Sequence, residues 1–188
     1  SAPSALLATT MSSTQNDVAW TDNANNETGF KIERKTGAAG AYAQIGTVGA
    51  NVITFSNTGL SPLTEYFYRV RANNTGGNSA YSNQTSATTF PPPPSAPGNL
   101  TATTVSNAQI NLAWADSSSN EDGFKLERKS AGDTVFAEIV TLGPNVTSYA
   151  DTGLSANTPY FYRVRAFNTG NNSAYSNEAN AATLPNIP

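Results

Sequence analysis

The heptapeptide Tyr66-Phe67-Tyr68-Arg69-Val70-Arg71-Ala72 returns 94 residues later as Tyr160-Phe161-Tyr162-Arg163-Val164-Arg165-Ala166. In both places Tyr, Tyr, Val and Ala alternate with Phe, Arg and Arg, the period-two signature of a β-strand with one face in a core and the other toward water. The same shift carries Trp20 onto Trp114, Gly29-Phe30-Lys31 onto Gly123-Phe124-Lys125, and Ser1-Ala2-Pro3 onto Ser95-Ala96-Pro97. No gap interrupts the match and about half of the aligned positions are identical, so the chain is a tandem duplication of a whole domain. Its 188 residues make two repeats, which suggests a segment cut in register from a longer array.

Other stretches alternate in the same way. Ile110, Leu112 and Trp114 point one way while Asn111 and Ala113 point the other, and helical spacing is convincing nowhere. Turn-forming clusters separate the strands at Asp22 to Gly29, Thr36 to Gly40, Gly49 to Asn51, Thr58 to Thr64 and Asn73 to Ser79, with counterparts in the second copy. Many short strands at such intervals predict an all-β chain of two β-sandwiches, each with its own core. The expected layout is a first domain over 1–90, a Pro-rich linker over 91–97 and a second domain over 98–188. The linker, Pro91-Pro92-Pro93-Pro94-Ser95-Ala96-Pro97, favours polyproline II and at about 3.1 Å per residue would span roughly 20 Å.

Four motifs together resemble the fibronectin type III domain, in the immunoglobulin-like form common in secreted bacterial polysaccharide-degrading enzymes and surface proteins. They are the lone Trp of the second strand (Trp20, Trp114), Gly-Phe-Lys-[Ile/Leu]-Glu-Arg-Lys in the third (Gly29 to Lys35, Gly123 to Lys129), Thr-Gly-Leu before a turn (Thr58 to Leu60, Thr152 to Leu154), and the Tyr-Phe-Tyr strand itself. The resemblance implies a structural core around Trp20 and Trp114. It also implies a corner role for Tyr66 and Tyr160, whose hydroxyls tie the strand to the preceding loop. One position departs from the repeat: Asn16 stands where the second copy has Ile110. A buried amide needs partners, so the expectation is that this strand end opens to water.

Composition removes several functions. The chain has no cysteine and no histidine, so disulfides, thiolate nucleophiles and imidazole chemistry are absent together. Ten basic against 13 acidic residues give a net charge of −3, which argues against nucleic acid as a partner. No run approaches the roughly 20 apolar residues that cross a bilayer, and any leader has been removed or lies upstream. A surface low in charge and rich in Asn, Ser, Thr and Gly fits an extracellular location.

The ten cations fall at five repeated positions: Lys31, Arg34, Lys35, Arg69 and Arg71, with copies at Lys125, Arg128, Lys129, Arg163 and Arg165. Because the third and sixth strands pair in the resembled family, these charges crowd one sheet. They form either an anion-binding stripe or a cross-strand ladder around Glu33 and Glu127, each exposed pair worth about 0–1 kcal/mol. With Phe67 and Phe161 on the same outward face, the candidate surface-binding set is Phe67, Arg69, Arg71, Phe161, Arg163 and Arg165. Tyr81, Tyr175 and Phe167 are further outward aromatics. Acidic and amide residues after the Trp strand (Asp22, Asn23, Asn26 and Glu27; Asp116, Asn120, Glu121 and Asp122) are read as turn-stabilising rather than calcium-binding, since their spacing lacks the twelve-residue loop. Sequons begin at Asn26, Asn73, Asn83, Asn99, Asn145 and Asn171, which makes a glycoprotein possible in a host that uses them.

No catalytic, cofactor or metal residues are expected. The functional expectation is a non-catalytic structural repeat, a stalk, spacer or fibre-building unit whose partners are neighbouring copies. The alternative is an accessory module that carries a secreted enzyme or adhesin to polysaccharide. Repetition without a site specialised in one copy favours mechanics.

Overall fold

The computed structural model describes residues Ser1–Pro188. It divides into two compact units, Ser1–Pro92 and Pro93–Pro188. The first unit carries β1 (Ser4–Thr10), β2 (Gln15–Thr21), β3 (Gly29–Thr36), β4 (Ala43–Gly49), β5 (Thr54–Thr58), β6 (Glu65–Asn74), β7 (Gly77–Asn78) and β8 (Thr85–Thr88). The second carries β9 (Gly98–Thr104), β10 (Gln109–Ala115), β11 (Gly123–Ser130), β12 (Ala137–Leu142), β13 (Ser148–Thr152), β14 (Pro159–Phe167) and β15 (Ala179–Ala182).

Each unit is an antiparallel sandwich. In the first, a sheet ordered β1-β2-β5 packs on one built from β4, β3, β6, β7 and β8. The second repeats this with β9-β10-β13 against β12-β11-β14-β15. The alternation predicted for the heptapeptide holds: Tyr66, Tyr68, Val70 and Ala72 are buried while Phe67, Arg69 and Arg71 are half-buried on the outer side. Leu6, Val18, Trp20, Phe30, Ile32 and Leu60 complete the first core, and their copies complete the second.

The motifs have local causes. A Cβ on Gly29 would run into the Val48 carbonyl, so only glycine lets β4 close on the start of β3. Gly59 and Gly153 sit at φ of 71° and 72°, the left-handed region that the turn after Thr58 and Thr152 requires. Trp20 tilts against Phe30 with centroids 5.5 Å apart, and Trp114 repeats this on Phe124 at 5.8 Å. The Tyr66 hydroxyl accepts from the Ser61 amide at 3.0 Å, and that of Tyr160 from Ser155 at 3.1 Å. Both tyrosines therefore hold the corner role.

The sheets are also tied at their open edges. Asn83 accepts from the Leu6 amide and donates to its carbonyl, and Asn177 does the same for Leu100. An amide side chain thus completes the backbone hydrogen bonds of a strand that bulges away from its neighbour at that point.

The expectation of a water-exposed Asn16 is overturned, because its residue exposure is 0 %. Its Nδ2 donates to the Tyr68 hydroxyl at 3.2 Å and to the Ala87 carbonyl at 3.3 Å. Tyr68 in turn donates to Asn57, which also accepts from Arg34. The second copy solves the same volume differently. Ile110 fills it with carbon, and Asp151 replaces Asn57, accepting from Arg128 and from the Tyr162 hydroxyl. Burial, and then the bond to Asp151, push the Tyr162 hydroxyl far up, so it stays a donor.

Two stability outcomes follow from these cores. Trp20→Ala or Trp114→Ala should cost its own domain about 3–5 kcal/mol in urea unfolding. Asn16→Ile should stabilise the first domain by about 1 kcal/mol, because it removes the buried Asn16 Oδ1, which lacks a partner, while Tyr68 keeps its acceptor.

Candidate functional site

The register of β3 and β6 places Lys31 opposite Arg71, Glu33 opposite Arg69, and Lys35 opposite Phe67, all on the outer face of the sheet. Glu33 is the centre of this face. Its side chain is only 8 % exposed although no core covers it. Oε2 accepts from Arg69 Nε at 2.9 Å and Nη2 at 2.6 Å. Oε1 accepts from the Tyr81 hydroxyl at 2.7 Å and lies 3.0 Å from Arg71 Nη2.

Aromatic rings cover what the carboxylate does not hold. The Arg69 guanidinium stacks on Tyr81 at 3.7 Å and on Tyr42 at 4.0 Å, and Arg71 lies 4.7 Å from the Tyr81 centroid. Lys35 Nζ sits over Phe67 and Tyr42 and donates to the Ala38 carbonyl at 2.7 Å. A bulge opposite Ile32 and Glu33, where β4 carries one extra residue, adds local twist to the edge strand leading from Tyr42. Cation–π contact and a shared carboxylate therefore fix side chains that would otherwise be free.

The second unit rebuilds the assembly. Glu127 accepts from Arg163 Nε at 2.8 Å and from the Tyr175 hydroxyl at 2.8 Å, with Arg165 at 3.3 Å. Phe136 stands in for Tyr42, 4.3 Å from the Arg163 guanidinium, and Lys129 lies over Phe136 and Phe161. Burial raises the carboxyl pKa of Glu33 and of Glu127. The tyrosine hydroxyl bond and then the two arginines outweigh it and hold both below the ordinary value.

Three expectations change. Arg34 and Arg128 do not join the outer stripe: in phase with Ile32 and Leu126, they lie on the core side. There they reach the opposite sheet at Asn57 and Asp151, where Arg128 lies 2.9 Å from the carboxylate. The ladder around Glu33 is not a set of exposed pairs, because the carboxylate is buried and the arginines are 30 % and 24 % exposed. Nor are the two copies equivalent. Gln44 and Gln84 beside the first assembly are replaced by Glu138 and Glu178 beside the second.

The fibronectin type III domain profile matches residues 1–88 and again 95–182. The chain belongs to the fibronectin type III family. It is 38 % identical over 191 residues to exoglucanase B of Cellulomonas fimi, covering 93 % of this chain and 16 % of that protein. It is 32 % identical over 192 residues to endoglucanase B of the same species, covering 95 % and 18 %. Chitinase A1 of Niallia circulans is 30 % identical over 195 residues, covering 97 % and 26 %. The chain thus spans less than a fifth of the length of the two glucanases. Among solved structures, the FN1-FN3 domains of chicken CNTN1 share the fold with a TM-score of 0.68 at 19 % identity, over 98 % of this chain and 67 % of that one.

The remaining candidates in the fibronectin type III pair fall on its loops and edges. Asp22 accepts from the Ala24 amide and Asp116 from the Ser118 amide, turns closed by the carboxylate itself. Asn26, Asn99, Asn145 and Asn171 are exposed. Asn73 donates to Thr28, and the Asn83 amide is occupied by Leu6. Tyr81 and Tyr175 belong to the carboxylate assembly, while Phe167 lies under Lys125. Sequence reading missed Tyr42 and Phe136. Their signal was an aromatic kept at the same place in both repeats, just before the edge strand.

A carboxylate held below its ordinary pKa contributes stability above that value and loses it as the pH falls through the folded value. Urea unfolding between about pH 6 and pH 3 should therefore show a decline that sets in as the pH approaches the ordinary carboxyl value of 4.5 and continues below it. Glu33→Gln with Glu127→Gln should lower stability at neutral pH and flatten that decline.

Proposed function

We propose that the pair is a non-catalytic structural segment, a stalk or spacer, of a larger extracellular polypeptide. The observation that carries this reading is that the carboxylates best placed for chemistry are engaged within their own domain. Glu33 and Glu127 are each bound by two arginines and a tyrosine. Asp151 is held by Arg128 and Tyr162, and Asp22 and Asp116 close turns. A general acid and base need carboxyls free to exchange protons with a substrate.

Neutral sugars bind on open aromatic faces. Here Tyr42 and Tyr81 carry Arg69, and Phe67 carries Lys35. The partial coverage of relatives named exoglucanase, endoglucanase and chitinase is consistent with a segment that accompanies a catalyst. Those same names favour a second reading, an accessory module that holds its enzyme on polysaccharide.

Sedimentation with microcrystalline cellulose and with chitin separates the two. A spacer remains in the supernatant. Retention on either solid, lost in the Phe67→Ala and Phe161→Ala variant, would establish the accessory module instead.

A further inference from the structure

We propose that the outer face of β3, β4 and β6 in the first domain is a binding face for a carboxylate-bearing polysaccharide, and that the second domain presents a weaker one. The face presents four cations, Lys31, Lys35, Arg69 and Arg71, against Glu33 and, at the far end of β6, Glu65. Glu33 is buried beneath Arg69 and Arg71 and offsets part of their charge, which leaves the face with an excess of two positive charges. Residues two apart on a strand are about 6.6 Å apart, so the cations form a ladder matched to a polymer that repeats its charge. Tyr42, Tyr81 and Phe67 hold Lys35, Arg69 and Arg71 in place before any ligand arrives, which lowers the ordering cost of binding.

The neighbours select among anions. Gln44 stands opposite Glu33 on the edge strand. Gln84, whose Oε1 accepts from the Tyr42 hydroxyl at 2.7 Å, is turned so that its Nε2–H donors remain for a ligand. Cations flanked by amides suit a chain that bears both carboxylates and hydroxyls. Single-stranded nucleic acid would need free ring faces on which to stack bases, and the faces of Tyr42 and Tyr81 carry Arg69. In the second domain Glu138 stands opposite Glu127, and Glu178 replaces Gln84. Glu65 has no counterpart there, since Pro159 takes its place, so four cations face three carboxylates instead of two and the second face is the less positive one. Gln44, Gln84, Glu138 and Glu178 are all exposed, so exchanging Gln and Glu there leaves both cores untouched.

The test is surface plasmon resonance of the two-domain chain on immobilised polygalacturonate at low ionic strength, with immobilised dextran and a DNA duplex as controls. Binding is expected to polygalacturonate and not to dextran, and to weaken as salt is added. The Gln44→Glu and Gln84→Glu double variant should bind about tenfold more weakly, since two unit charges about 7 Å apart in water are worth about threefold each. Glu138→Gln with Glu178→Gln should bind more tightly than the parent. Circular dichroism and melting temperature should be unchanged in both variants. Absence of binding by the parent, an unchanged affinity in the first variant, or equal affinity for the DNA duplex would each overturn the proposal.

Discussion

Every feature of each domain depends on one strand serving two environments at once. β6, like β14, alternates buried Tyr, Tyr, Val and Ala with outward Phe, Arg and Arg. Its inner residues form the centre of the core and its outer residues form the charged face. A slip of one residue would bring arginines into the core and tyrosines into water, so the register with β3 is specified from both sides. The corner bond from Tyr66 to Ser61 fixes where the strand begins, and Gly29 lets the paired edge approach. The position of Glu33 beside Arg69 and Arg71 follows from that register.

The outer assembly is an ion cluster that a sandwich rarely needs on an exposed face. A carboxylate removed from water requires several strong donors to offset its lost hydration. Glu33 has them, because Arg69 and Arg71 lie on the neighbouring strand and Tyr81 reaches over from beyond β7. The rings that cover the guanidinium groups also account for the weak case for neutral-sugar binding, since their faces are occupied. The features that rigidify the domain are therefore the same ones that present a fixed array of positive charge.

Duplication makes differences between the copies informative. The buried position opposite Tyr68 holds Asn16 with Asn57, whereas the position opposite Tyr162 holds Ile110 with Asp151. Each pair satisfies its tyrosine hydroxyl, the first through amides and the second through an ion pair with Arg128. The exchange of Gln44 and Gln84 for Glu138 and Glu178 leaves the fold unchanged and alters only the field above the sheet. Conservation of the frame and divergence of its surface charge are what separates the two domains.

The sequence alone determined the duplication, the all-β class, the family resemblance, the indole cores and the tyrosine corners, because these rest on local periodicity and repeated motifs. It also carried the inward phase of Arg34 and Asn16, each two residues from a core side chain. Strand parity names the side of a sheet on which a residue lies; it does not say what will cover that residue. That was decided by the tertiary structure, which brings Tyr42, Tyr81 and Ala87 from distant segments over Glu33, Arg69 and Asn16. Burial of a polar group depends on partners assembled by the whole sandwich, and no short stretch of chain contains them.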